Sequence, residues 1–109
     1  MESIEERTYW GDLFETYKFS LTLKQREVFE DYYLNDLSLS EIAENLSISR
    51  AAVEDTIKKT RKKLQEEEIN LKVMENKHEL QEILDKILKS EGEEKDRYIM
   101  MLKEKIDGI

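Results

Sequence analysis

The stretch SLSEIAENLSISRAAVEDTIK, Ser38 to Lys58, decides the fold. Ile42, Ala43, Leu46, Ile48, Val53 and Ile57 fall at the spacing that two short crossed helices need to pack together. Ala43 sits where the helices approach most closely, so a larger side chain there would push them apart. Ser38 with Glu41 forms a capping box for the first helix, and the Ser49 hydroxyl can cap the second. This is the pattern of a helix-turn-helix, whose second helix usually enters the DNA major groove. The turn position often held by glycine is Ser47, which has to accept a backbone conformation that side chains disfavour. The same pattern also describes αα-corners that bind nothing.

Working outward, helices are expected throughout. Tyr9, Trp10, Leu13, Phe14 and Tyr17 share one face of a first helix. Thr22 with Gln25 makes a second capping box, opening a helix whose apolar residues are Leu23, Val28, Phe29, Tyr32 and Tyr33. Asn35 and Asp36 then turn the chain into the helix-turn-helix. These aromatic residues can be read as a platform for stacked bases, but their helical spacing assigns them to a core.

The helix opening at Arg50 has no obvious stop. Unbroken to Lys89 it would be about 60 Å long at roughly 1.5 Å per residue. A helix of that length cannot bury its apolar stripe within so small a domain, so it has to bend back, with the polar run Gln65 to Glu68 as one place for it, or pair with another chain. Leu80, Ile83, Leu84, Ile87 and Leu88 form a strong amphipathic stripe, Gly92 is a candidate terminator, and a last short helix carries Tyr98, Ile99, Leu102 and Ile106. These stripes are either the remaining core or a partner surface. A homodimer through Leu80, Ile83, Leu84 and Ile87 is the expectation, since it would also hold two recognition helices at a fixed spacing.

At 109 residues the chain is expected to be a single all-α domain, with the helix-turn-helix at about 38–65 and a helical extension at about 66–109. Proline and cysteine are absent, which leaves long helices uninterrupted and rules out disulfides and thiolate zinc sites. The start, MESIEE, is acidic and no long apolar run follows, so neither a signal peptide nor a membrane span is expected, and the location inferred is cytoplasmic.

The net charge of −8 is unevenly spread. Residues 1–37 carry −5, residues 38–65 carry +2 and residues 66–109 carry −5. The positive segment is the helix-turn-helix with its extension, which points to an anionic partner there.

The basic cluster KKTRKK, Lys58 to Lys63, has two readings. It can extend the recognition helix as a set of phosphate contacts. Alternatively it is neutralised along its own helix, because Glu54, Asp55, Glu66 and Glu67 each lie four residues from a lysine of the cluster. Only Arg61 lacks such a partner. Ala51, Asp55, Lys58 and Lys62 face away from the Val53, Ile57 and Leu64 seam, with Arg50 and Glu54 beside them. Arg50 can engage a guanine in bidentate fashion, and Glu54 or Asp55 can accept from a cytosine amine. The candidate nucleic-acid-binding set is therefore Ser49, Arg50, Ala51, Glu54, Lys58, Lys59, Arg61 and Lys62.

Catalysis finds little support. With one histidine and no cysteine, the common nucleophile and metal constellations cannot be assembled. His78 lies on a charged helix and reads as a surface or interface residue, and no glycine-rich phosphate loop is present. A non-enzyme without metal or cofactor is expected.

LFETY at Leu13 to Tyr17, LTLKQREVFEDYYLNDLSLSEIAENLSISRAAVEDTIKKT at Leu21 to Thr60 and RYIMML at Arg97 to Leu102 together resemble the YlxM family of small bacterial proteins. Their helix-turn-helix is similar to region 4 of sigma factors. The resemblance implies an all-helical, dimeric, DNA-binding regulator. Family genes lie beside those for the signal recognition particle GTPases, so the resemblance also implies a role in that pathway and partners among its components. Ala51 and Glu54 stand where this family carries larger polar and aromatic residues. Two function classes remain: a regulatory module that binds DNA or structured RNA through Arg50 to Lys62, and a helical adaptor that binds protein through its C-terminal helices. A regular A-form major groove is too deep and narrow for the helix, so an RNA target would need loops or bulges.

Overall fold

Three side-chain caps set where the first helices begin in the computed structural model, which describes residues 2–109. Ser3 caps α1 (Ile4–Tyr17), Thr22 caps α2 (Leu23–Tyr33) and Ser38 caps α3 (Leu39–Leu46), each accepting from the backbone N–H three residues on. The latter two are complete capping boxes, closed by Gln25 and Glu41. The Ser38 backbone N–H that binds the Glu41 carboxylate holds that group below the usual carboxylate range. Three further helices follow, α4 (Arg50–Leu71), α5 (Val73–Lys89) and α6 (Gly92–Asp107), and there is no strand among the described residues.

Contacts divide the chain into two compact units, Met1–Leu71 and Lys72–Ile109. In the first, α1, α2 and α3 all pack on α4. Its core is Leu13, Phe14 and Tyr17 from α1, Val28, Phe29 and Tyr33 from α2, Ile42 and Ala43 from α3, and Val53, Ile57 and Leu64 from α4. Phe14 and Phe29 stack with ring centroids 5.5 Å apart, and Phe29 meets Tyr33 at 4.4 Å. Phe14, Tyr17, Phe29 and Tyr33 are thus core, as their spacing suggested, whereas Trp10 and Tyr32 are half-buried and Tyr9 is exposed at the edge of α1. Thr60 is the buried polar residue of this stripe, and its hydroxyl donates to the Thr56 carbonyl at 2.7 Å, so burial leaves it satisfied. Leu23 departs from the expected apolar face. It opens α2 at 81 % exposure, because the first turn of that helix projects beyond the core.

Ser47 does occupy the left-handed region, at φ 56° and ψ 42°. Its N–H and that of Ile48 close the end of α3 on the Ala43 carbonyl, so the chain reverses in few residues and α4 starts beside α3. Asp36 makes the preceding turn at φ 56°.

The long helix does not break at Gln65 to Glu68. It runs to Leu71 and stops at Lys72, which is left-handed at φ 53° and ψ 28°. The reason is packing on the far side of the polar run. Leu64 is fully buried, and the Tyr17 hydroxyl donates to the Glu68 carboxylate, which ties that stretch of α4 to α1.

In the second unit α5 and α6 form a helical hairpin turned at Ser90 to Gly92. Gly92, at φ 62°, opens α6 rather than terminating α5, and α6 is a full 16 residues rather than a short helix. Ile87 is the residue of this hairpin that is buried, at 7 % exposure.

A non-glycine residue in the left-handed region costs about 1–2 kcal/mol, while glycine gives back about 0.5–1 kcal/mol through its freer unfolded chain. Ser47→Gly is therefore expected to stabilise the fold by roughly 0.5–1 kcal/mol, and Ser47→Val to destabilise it. Chemical denaturation midpoints of the three proteins check both signs.

Candidate nucleic-acid interface

The exposed side of α4 is built from the turn upward. Ser49 accepts from the Ala52 N–H at 3.0 Å and starts the helix, and its own O–H remains able to donate outward. Arg50 and Ala51 follow on the exposed first turn. Val53, Ile57, Thr60 and Leu64 point into the core, so Asp55, Lys58, Lys59 and Lys62 are held outward by helix periodicity.

Charge pairing along this helix is selective. Lys59 binds Asp55 at 2.9 Å and Lys63 binds Glu67 at 3.1 Å, as the four-residue spacing suggested. Glu54, however, turns back to Arg50 at 3.6 Å rather than forward to Lys58. Lys62 makes no ion pair with Glu66. Among the described residues Lys58 and Lys62 are the members of the cluster without a carboxylate within 4.0 Å, and they lie one turn apart on the exposed face.

Arg61 has a different fate from its neighbours. It has no carboxylate partner on its own helix, but the fold supplies one from the N-terminus. Its guanidinium binds the Glu2 carboxylate and the Tyr33 hydroxyl oxygen, with Nε 2.7 Å from the latter, and lies over the Trp10 ring at 5.3 Å. Tyr33 in turn donates to Glu2 at 2.8 Å. Burial pushes the Tyr33 hydroxyl above its usual range, so it keeps the proton it donates. Arg61 thus clasps the N-terminus, α2 and α4 together, and its donors are directed inward. Glu2, Trp10 and Tyr33 were invisible as partners of the cluster, because no local spacing links residues 2, 33 and 61.

Between Arg61 and the exposed face lies a shallow hollow of about 280 Å³, lined by Tyr32, Leu39, Glu54, Ile57, Lys58 and Arg61. Leu39 is a neighbour of Lys58 that the sequence did not single out, and Tyr32, expected in the core, lines the same hollow. Among the described residues no group of three histidine or acidic side chains is arranged to hold a metal ion. No helix among them is long and apolar enough to cross a membrane.

Of the residues expected at a dimer interface, Leu80 and Leu84 line one groove of the hairpin together with Val73, Leu102, Ile106 and Ile109. Ile83 is half-buried, and Ile87 is buried within the hairpin itself.

Residues 4–105 match the model of the UPF0122 family, described as "Putative helix-turn-helix protein, YlxM / p13 like". A UPF0122 protein of Bacillus mycoides strain KBAB4 is 40 % identical over 108 residues, covering 97 % of this chain and 98 % of the relative. UPF0122 proteins of Bacillus thuringiensis strain Al Hakam and Bacillus cereus strain AH187 are each 42 % identical over 91 residues, covering 84 % of this chain and 83 % of theirs. The chain belongs to this helix-turn-helix family.

Removing Arg61 leaves a half-buried carboxylate and a phenol without their cationic partner, a loss of about 1–3 kcal/mol. Arg61→Ala is expected to lower stability by about that amount, and Arg61→Lys to recover only part of it, because an ammonium cannot supply the planar fork or lie flat on Trp10. Urea unfolding of both variants measures the difference.

Proposed function

We propose that this protein binds duplex DNA through the exposed face of α4. The observation that carries the proposal is the selective pairing along that helix. It neutralises Lys59 and Lys63 and leaves Lys58 and Lys62 without an ion-pair partner among the described residues, one turn apart, in residues 38–65, where the net charge is positive. In this reading Lys58 and Lys62 contact successive phosphates. Arg50, Ala51 and Glu54 face base edges near the start of the helix, and the Ser49 hydroxyl donates to the backbone beside them. Lys59 joins the phosphate set by exchanging Asp55 for phosphate, since its exposed pair is weak. Arg61 contributes by fixing α4 against the N-terminus. Asp55 and Glu54 repel stray phosphates, which favours selective over tight binding. Structured RNA, met at a loop or bulge, is the other nucleic acid this face would accept. A regulatory role connected with the signal recognition particle pathway follows from the family resemblance.

The proposal includes a homodimer formed through the hairpin. Leu84 and Leu88 are 48 % and 75 % exposed, and a two-helix unit of 38 residues has too little interior to hold itself together. A second copy would cover the groove beside Leu80 and Leu84 and set two α4 helices at a fixed spacing. The same exposed face favours a second reading, in which the hairpin binds a protein of the targeting pathway and the chain is an adaptor without catalytic activity.

Fluorescence anisotropy against duplex DNA at two salt concentrations tests the first reading. Lys58→Ala with Lys62→Ala should weaken binding and reduce the log–log salt slope by roughly 1.8, about 0.9 per phosphate lost. Glu54→Gln with Asp55→Asn should tighten binding at low salt, by releasing Arg50 and Lys59. If neither pair of changes alters affinity for DNA or RNA, the cluster is a solvated helix face and the adaptor reading stands.

Leu84→Glu is expected to convert a dimer to monomer in light scattering, because it places a charge in a desolvated helix seam. A wild-type protein that is monomeric at high micromolar concentration would remove the dimer from the proposal.

A further inference from the structure

The first unit carries a second concave surface, remote in sequence from the basic cluster. One side of α1, from Ile4 through Thr8 and Gly11 to Glu15, forms a groove with Leu34 and Asp36 of the turn after α2, enclosing about 560 Å³. Its floor is apolar and open, with Ile4 82 % and Leu34 47 % exposed. Its rim is acidic. Asp12 has no ion pair among the described residues, Glu15 meets only the exposed Lys18 at 3.1 Å, and Asp36 lies almost wholly in solvent. The basic residue in the groove, Arg7, is already engaged by the Tyr32 carbonyl at 2.5 Å and Asp36 at 3.4 Å, and by the Tyr32 and Tyr33 rings.

Gly11 is the feature that the fold itself does not explain. A glycine inside a helix destabilises it by about 0.8–1.0 kcal/mol relative to alanine. Yet a Cβ at Gly11 would meet only Leu34 Cδ2 at 3.9 Å, an ordinary contact, and no turn or positive φ is involved. Nothing among the described residues requires the missing side chain. What it provides is a bare stretch of helix backbone in the middle of an apolar floor, where another helix can approach closely.

We infer that this groove binds a basic amphipathic helix of a partner protein. From Ile4 to Glu15 the groove follows α1 for about 16 Å at 1.5 Å per residue, three turns of a docked helix. Leucine-sized residues of the partner lie on Ile4, Gly11 and Leu34, and its lysines or arginines meet Asp12, Glu15 and Asp36. The same acidic rim repels nucleic acid, so this surface and the exposed face of α4 select partners of opposite charge and do not compete.

The full-length chain titrated by calorimetry with an 18-residue Leu/Lys amphipathic peptide, and with a Leu/Glu peptide of the same pattern, tests the inference. The Leu/Lys peptide should bind with one-to-one stoichiometry and weaken with added salt, and the Leu/Glu peptide should bind at least tenfold more weakly. Gly11→Leu fills the floor and should reduce Leu/Lys affinity at least tenfold. Asp12→Lys, a surface change that folding tolerates, should reduce it several-fold. Gly11→Ala should raise the thermal midpoint by roughly 4–8 °C, the stability that the groove forgoes. Leu84→Glu should leave peptide binding unchanged. Equal affinity for the two peptides, absence of binding, indifference to Gly11→Leu and Asp12→Lys, or loss of binding on Leu84→Glu would each overturn the inference. So would a groove occupied by a second copy of the chain, seen as a dimer that Gly11→Leu dissociates.

Discussion

The stripe Val53, Ile57, Thr60 and Leu64 of α4 is the surface on which the first unit is assembled. Each of α1, α2 and α3 contacts this helix, and each contributes side chains that are buried against it or against one another. Burying a Val, Ile or Leu side chain stabilises by about 1.5–3 kcal/mol, so Val53, Ile57 and Leu64 along three turns anchor the unit firmly. The stripe also orients everything opposite to it. Because the inward side is fixed by packing, the outward positions of Ala51, Asp55, Lys58 and Lys62 are fixed by helix geometry, with no adjustable loop between core and interface. The left-handed Ser47 completes the arrangement by bringing α3 and α4 together over a short connection.

Arginine and lysine divide the electrostatic work of this unit. Arg7 and Arg61 reach across helices to a carbonyl oxygen, a phenol and carboxylates, where a planar multi-donor group satisfies several acceptors at once, and Arg26 donates to the Lys18 carbonyl. The lysines of α4 remain at the surface as flexible point charges, paired only along their own helix. A net charge summed over the cluster hides this division, because it counts the clasping Arg61 together with the solvated Lys58 and Lys62.

Much of the architecture was legible from sequence because it depends on local rules. Capping boxes at Thr22 and Ser38, the helical spacing of Leu13, Phe14 and Tyr17 within α1 and of Val28, Phe29 and Tyr33 within α2, and the left-handed demand at Ser47 all involve residues within a few positions of one another. The end of α4 was not legible. Its polar run at Gln65 to Glu68 looks like a place to bend, but the Tyr17 hydroxyl, fifty-one residues away, holds Glu68 in place. The pairing of Glu54 was also beyond reach, since Arg50 and Lys58 stand at equal distances from it in sequence and only the conformation chooses. Arg61 is the sharpest case. Its helix offers no acid three or four residues away, and the partner comes from residue 2, which Tyr33 also binds.

The position of Trp10 under the Arg61 guanidinium gives the molecule a built-in reporter. Trp10 is the sole indole in the sequence, so ultraviolet emission excited selectively at long wavelength arises from one spot instead of an average over many. That spot is where the N-terminal residues, α2 and α4 are joined. Loosening of the clasp, even with every helix intact, alters the charge and polarity next to the ring and therefore the colour and yield of its light. A spectrometer thus sees this junction open before circular dichroism registers any loss of helix.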